Sequence, residues 1–364
     1  LKIDFINGIF QKFNNQGESY LMIKSSINIT LVILIIFVFQ SCQSKKQDDA
    51  NKTNDNSKNN AELVKQDDKG QKVDLRYAPK TGEKFKYSLT EETFTVENSP
   101  DTKFKDEISE QKVNYYYAED VAEISGTGVI TYKVKFDSIN ISTKLSDQSQ
   151  QQIYNSNVKD SIYNKPVYLQ YNALIGQEFK MRVSAQGEIY DVYELEKIHD
   201  FVFKAFGDTL SPKDKENIKN LMGPEAIKNI LQNQFQKFPL SEVYKDSSWV
   251  FNVESTLLVF PVKNVLSYKL ADVKKENGDY ICSVESTLGI DFIQTEQKDN
   301  QLTLKIIDSK AGGSGKVSFN ASKGCIVSKK TNMNINIEMR LSAKGQSAIS
   351  KQNLTKAYTI TLLQ

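Results

Sequence analysis

The stretch TNMNINIEMRL, Thr331 to Leu341, sets Met333, Ile335, Ile337, Met339 and Leu341 on every second position, with Asn334, Asn336, Glu338 and Arg340 between them. Successive side chains of a strand point to opposite faces, so this alternation specifies a strand with one face buried and the other in water. The same period governs Phe85, Tyr87 and Leu89, which alternate with Lys84, Lys86 and Ser88, and it recurs in segments 130–136, 179–183, 249–253, 282–288 and 358–362. Strands of this kind dominate the chain, which predicts a mostly β fold.

The strands are organised twice. YYAEDVAEISGTGVITYKVKF, Tyr116 to Phe136, aligns without a gap on YKLADVKKENGDYICSVESTL, Tyr268 to Leu288. Asp120-Val121 meets Asp272-Val273, Gly126 meets Gly278, and each copy reads as a strand, a glycine-containing turn and a returning strand. Ahead of each lies a matching strand, Phe85-x-Tyr87-x-Leu89 opposite Trp249-x-Phe251-x-Val253. Behind each comes a turn, Gly187-Glu188-Ile189 against Gly324-Cys325-Ile326. Order, spacing and turn glycines together indicate duplication of a β-meander.

Between the copies the period lengthens to that of a helix. Leu195, Ile198, Val202, Ala205 and Phe206 share one helical face; Ser211-Pro212 supplies a capping hydroxyl and a first-turn proline for a second helix ending at Gly223-Pro224. A third helix is expected from Pro224 to Phe238, closed by Pro239. The expected fold is therefore α+β and mostly β: duplicated antiparallel curved sheet units, 73–193 and 245–364, joined across 194–244 and partly covered by two to three amphipathic helices.

The N-terminal part reads differently. Nine apolar residues, Leu31 to Phe39, end at Ser41-Cys42 and follow the positively charged Met22-Ile23-Lys24. A membrane-spanning helix needs about twenty apolar residues, whereas nine suit a signal-peptide core. Phe39-Gln40-Ser41-Cys42 resembles the bacterial lipobox, although Phe39 departs from the usual Leu. That resemblance implies a signal peptide over 22–41 and lipidation of Cys42 as the first mature residue; residues 1–21, which open with Leu1 and add nothing a signal peptide needs, are expected to be an untranslated upstream extension, with Met22 as the initiator. Residues 42–72 are nearly free of apolar side chains and are expected to form a disordered tether. Gln43, where an inner-membrane retention signal commonly has Asp, favours the outer membrane, on its periplasmic or cell-surface face.

A second resemblance covers nearly all of the expected folded region. LRYAPKTGEKFKYSLTEE (Leu75 to Glu92), ALIGQEFKMRVSAQGEIYDV (Ala173 to Val192), the helical segment, FPLSEVYKDSSW (Phe238 to Trp249) and GKVSFNASKGCIVSKKTNMNINIEM (Gly315 to Met339) follow in the order of an uncharacterised family of Bacteroidota secreted and lipid-anchored proteins, a domain of unknown function. The family implies an architecture and no activity. The element order also resembles, more loosely, the half-barrel lipoprotein carriers and lipid-binding envelope proteins.

Little in the sequence points to catalysis. The single histidine, His199, belongs to no triad, HExxH motif or ligand cluster. GGSGK, Gly312 to Lys316, resembles a phosphate loop, but Lys310 stands where the first glycine belongs and Val317 replaces the hydroxyl residue, so it reads as a flexible turn. Glu91-Glu92 would point to opposite faces of a strand, the wrong geometry for shared acid and base work. No catalytic residue, metal ligand set or cofactor is expected, and 47 basic against 45 acidic residues supply no field for nucleic acid. Cys282 and Cys325, in an oxidising compartment, are either a disulfide or two buried free thiols.

These readings predict a non-catalytic envelope protein held to the membrane by its N-terminal lipid. In one version it is a binding or interaction scaffold for another envelope protein or a glycan. In the other it carries a lipid or other apolar ligand between curved sheet and helices, with Phe85, Tyr87, Met181, Trp249 and Phe251 as candidate ligand-facing residues. A cavity between sheet and helices discriminates between the two.

Overall fold

The structure, a computed structural model, describes residues 63–98, 107–146, 151–298, 303–343 and 346–363. Cys42, the signal-like segment 22–41 and the tether as far as 62 lie outside the described residues.

The first meander runs through β3 (Lys84–Asn98), β4 (Glu107–Ile124), β5 (Ile130–Leu145), β7 (Glu178–Val183) and β8 (Ile189–Tyr193), and the second through β10 (Ser248–Leu257), β11 (Phe260–Glu276), β12 (Asp279–Phe292), β14 (Thr303–Asn320) and β15 (Cys325–Ala343). The last strand, β16 (Gln346–Leu363), joins them by pairing β15 along one edge and β3 along the other, antiparallel to both. With β6 (Gln152–Asn155) on β5 and β13 (Glu296–Lys298) on β14, the result is one continuous sheet of thirteen strands, curved and unclosed. Both hairpins aligned in sequence are present, β4–β5 turning at Gly126 and β11–β12 at Gly278. Gly187 and Gly324 occupy corresponding turns, β7–β8 and β14–β15, and both have positive φ. A Cβ on Gly187 would strike the Gln236 carbonyl, and one on Gly324 would strike the backbone of Ala78, so both turns close directly on chain beneath them.

Phe85, Tyr87 and Leu89 are buried while Lys84 and Lys86 are exposed, as the alternation requires. Among the described residues four α-helices lie against the buried face: α1 (Leu169–Leu174), α2 (Glu196–Phe206), α3 (Pro212–Leu221) and α4 (Pro224–Leu231). At the start of α3 the Ser211 hydroxyl accepts from the Asp214 backbone N–H at 3.2 Å while the Asp214 carboxylate accepts from the Ser211 N–H at 3.1 Å, a reciprocal cap. Ile198, Val202, Ile218, Ile227 and Leu231 join a core that contains most of the first meander. A second apolar cluster, built from strands alone, lies on the other half of the sheet and contains Phe260, Val262, Met333, Ile335, Ile337, Met339 and Leu354.

Three expectations are corrected, and the open choice at the two cysteines falls to one side. Residues 64–72, assigned to the tether by their polarity, form with Val73 a hairpin of β1 (Val64–Asp67) and β2 (Gly70–Val73), which pairs with β9 (Val243–Tyr244). It is held by fully buried Val73 and by Lys65 and Lys72, which meet Glu242 at 2.8 and 2.9 Å. GGSGK is not a turn but the middle of β14; a Cβ on Gly315 would fall 2.7 Å from both Ser286 Oγ and Thr331 Cγ2, and one on Gly313 would hit the Asn332 carbonyl, so the flanking strands leave no room for side chains. Cys282 pairs across to Phe319 and Cys325 to Asn320 on the opposite edge of β14. With one strand between them the cysteines are about 9 to 10 Å apart, beyond a disulfide's reach, and both are free thiols whose pKa burial pushes up to about 12.

The third helix also stops early, at Leu231 rather than Phe238. Beyond it the chain threads through the core, where Gln234, Phe235, Gln236 and Phe238 are all buried. The extended backbone satisfies groups a helix could not. Gln236 N–H donates to the Tyr77 hydroxyl at 2.7 Å, the Lys329 side-chain nitrogen donates to the Phe235 carbonyl at 2.8 Å, and the Gln234 amide donates to Glu119 at 3.0 Å while accepting from Tyr117.

Glu119 is buried with its other carboxylate oxygen unpartnered, and desolvation pushes its pKa up to about 8. Its protonated form is the one the fold favours, so the carboxyl costs stability as pH rises from its ordinary range, near 4.5, through about 8. Glu119→Gln is expected to unfold at the same denaturant concentration as the unsubstituted protein near pH 4.5, to become progressively more stable than it up to pH 8, and to hold a constant advantage above. Urea midpoints measured across this range check the sign.

Candidate functional site

Along β3 the inward face changes character. Cross-strand pairing builds rows that run over β16, β3, β4 and β5. Near the helical end the rows are apolar, Ile360–Leu89–Tyr115–Ile139 among them. The next rows are Tyr358–Glu91–Val113–Ile141, Lys356–Thr93–Gln111–Thr143 and Leu354–Thr95–Ser109–Leu145. Because strand side chains alternate strictly, the apolar Phe94 and Ile108 are turned outward, 40% and 38% exposed, so that these polar residues can face in. A polar inward face needs something other than side-chain packing above it.

What lies above is a cavity of about 290 Å³. Its floor is mostly the polar rows, with Val113 and Leu145; its roof is mostly apolar, made by Leu174 of α1, Leu221 of α3 with Met222 just beyond it, and Ala226, Ile227 and Ile230 of α4, with Gln170, Asn229 and Asn233 among them. The α1 segment is fixed from below, since Asn172 donates to the Tyr163 carbonyl at 2.8 Å and accepts from Tyr154, which stacks on Tyr168 at 4.4 Å.

At one end of the cavity sits a charged pair. Lys356 Nζ lies 2.5 Å from Glu91 Oε1, with only 10% and 23% of the two side chains exposed. Burial by itself would strip the lysine of its proton, but the Tyr358 hydroxyl and the Glu91 carboxylate outweigh it and hold Lys356 above its ordinary pKa. Burial also raises the three phenols around the pair. The Tyr171 pKa is pushed up to about 12 by desolvation and then by Glu91; Tyr358 is raised by the same two causes, and Tyr115 by desolvation, Tyr171 and Glu91. All three stay neutral hydrogen-bond donors at physiological pH. The arrangement can bind and orient a ligand.

The expected ligand-facing residues lie elsewhere. Phe85, Tyr87 and Met181 are sealed in the core, where the Tyr87 hydroxyl donates to the Ile326 carbonyl at 3.2 Å. Trp249 stacks on Tyr268 at 5.7 Å, and Phe251 lies under the Lys237 ammonium at 5.0 Å. None of the five lines the cavity. Glu91 and Glu92 do point oppositely, Glu91 inward and Glu92 outward to Lys112 at 2.8 Å. His199 hydrogen-bonds the Met222 carbonyl at 3.3 Å and ties α2 to the end of α3. Among the described residues no group of three or more His, Cys, Asp or Glu side chains is placed to hold a metal.

The family model that matches spans residues 127–326, from the β4–β5 turn to the start of β15. The chain belongs to DUF6263, a family of unknown function. The DUF6263 match takes in the helical roof, while Glu91 and Lys356 fall outside it. No curated protein matches in sequence. Among solved structures, lipovitellin, studied for its lipid–protein interactions, overlaps at a TM-score of 0.42 with 10% identity, across 78% of this chain and 25% of its own. The chain thus spans about a quarter of lipovitellin. The Pseudomonas aeruginosa protein OccK5 (OpdH) overlaps at 0.22 with 7% identity over 78% and 99% of the two chains, and an outer membrane channel of Pseudomonas putida F1 at 0.17 with 7% identity over 79% and 97%. Overlaps of this extent carry no inference about ligand or role.

Removing one member of a buried ion pair strands the other. Glu91→Gln is expected to lower the unfolding free energy by about 1–3 kcal/mol, moderated by the opening to the cavity, and Lys356→Met in the same protein should recover part of the loss. A double-mutant cycle in urea measures the coupling.

Proposed function

We propose that this protein is a non-catalytic binding protein of the cell envelope, anchored through lipid on Cys42, that holds a small amphipathic or apolar ligand between its curved sheet and its helices. The observation that carries the reading is the cavity itself, with a mostly apolar roof, a mostly polar floor and a largely buried charged pair at one end. A fully packed interface between helices and sheet would have suited a scaffold alone. The volume sits at the lower edge of small-molecule sites, which run from about 300 to 1,000 Å³, and favours a single-chain amphiphile over a whole phospholipid. The polar segment before residue 63 gives the binding domain reach from its membrane.

Every described element and both apolar clusters lie after residue 62, so the chain beginning at Gln43 retains the whole of this structure without the acyl anchor. Native mass spectrometry of that chain, exported to a bacterial periplasm behind a cleavable signal peptide and purified from it, is expected to show one co-purifying apolar molecule that organic solvent releases. Ala226→Phe, which fills the cavity from the roof, should abolish that adduct while leaving the unfolding free energy within about 1 kcal/mol of the parent. An apo mass in both proteins, with no uptake on challenge, contradicts the proposal. The anchor is tested separately, since Cys42→Ala should shift the protein out of the membrane fraction.

A further inference from the structure

The polar end of the cavity contains more chemistry than ligand retention requires. Lys356 is a buried ammonium with three donors, of which the Glu91 carboxylate and the Tyr358 hydroxyl engage two. Tyr115 lines the same space, its ring buried, and its hydroxyl makes no hydrogen bond among the described residues. Tyr171 closes the group from α1. The site therefore offers N–H and O–H donors to a ligand oxygen, and its own charges already cancel.

We propose that the cavity selects a single-chain amphiphile with an uncharged, oxygen-bearing head group, of the monoacylglycerol kind, and that Glu91 enforces the choice by cancelling the charge of Lys356. This rests on the ligand-binding reading above. An ionised carboxylate or phosphate head would leave water to lie beside the Glu91 carboxylate, and a cationic head would lie beside Lys356. Either brings an uncompensated charge against a pair whose own side chains are only 10% and 23% exposed, which is unfavourable. Hydroxyl and ester oxygens bring none, and they accept from Lys356 and Tyr115 while the floor amide and hydroxyls of Thr93, Gln111 and Thr143 meet any that extend further. The apolar chain then runs under Leu221, Ile227 and Ile230. Selection here works by rejecting charge rather than by adding an attraction.

The test uses the chain from Gln43, stripped of lipid on hydrophobic resin and titrated calorimetrically at pH 8 with monopalmitoylglycerol or with palmitate, each below its micellar concentration. The unsubstituted protein is expected to bind the glyceride at least about tenfold tighter than the ionised fatty acid. Glu91→Gln frees the Lys356 charge and should reverse the preference; Glu91→Gln with Lys356→Met, neutral again, should restore it. The first comparison needs no variant, so it stands even if Glu91→Gln folds poorly. Palmitate bound as tightly as the glyceride by the unsubstituted protein overturns the head-group selection and leaves ligand binding intact. Failure to bind either compound, with Ala226→Phe indistinguishable from its parent, overturns the ligand-binding reading itself and the selection with it.

Discussion

The pairing of β16 with β3 is the constraint from which the rest of this architecture follows. Lys351 stands opposite Asn98 and Leu363 opposite Lys86, so the last strand of the chain closes against the first strand of the large sheet. Each meander could form locally, hairpin by hairpin. Only this seam makes them one sheet, and it does so across most of the chain length, which gives it the largest loop-closure cost of the strand pairings. The seam also creates the cavity's charged end, because Lys356 and Tyr358 come from β16 while Glu91 comes from β3. Neither meander contains the pair.

A second consequence concerns the division of the inner face. Rows near the helical end are apolar and fill with rings, Tyr87, Tyr117 and Phe136 among them, at centroid separations of 5.4 to 5.9 Å. Two strand positions further along, the same face carries Glu91, Thr93 and Thr95, and the helices stand off from it. Core and cavity are thus successive stretches of one surface. The packed rows and the chain threaded through them, with Gln234 and Gln236 hydrogen-bonded inside, hold the helices at a height that leaves the polar rows uncovered.

Much of the fold was legible because it rests on local pattern. Alternation located the long strands, the glycine turns aligned the two meanders, and Ser211-Pro212 marked the start of α3. What escaped the sequence depends on partners distant in it. The glycines of β14 look like a turn until neighbouring strands are seen to exclude their side chains. Gln232 to Phe238 continues a helical pattern, but Tyr77, Tyr117 and Lys329 supply better partners to an extended chain. The cavity was missed because apolar alternation was equated with the inner face, which drew attention to Phe85, Tyr87 and Met181. The available signal was the break in parity within β3, where Phe85, Tyr87 and Leu89 give way to Phe94 and Val96 and place Glu91, Thr93 and Thr95 on the buried side.

The most direct test of the central claim is to locate a ligand in the molecule. A crystal of the chain from Gln43 grown with a single-chain amphiphile carrying a terminal bromine would give an anomalous signal at the end of the apolar chain. The account predicts that signal under Leu221, Ile227 and Ile230, with head-group density beside Glu91, Lys356 and Tyr115. A signal on the outer surface of the sheet or over the second apolar cluster, with the cavity empty, would contradict it.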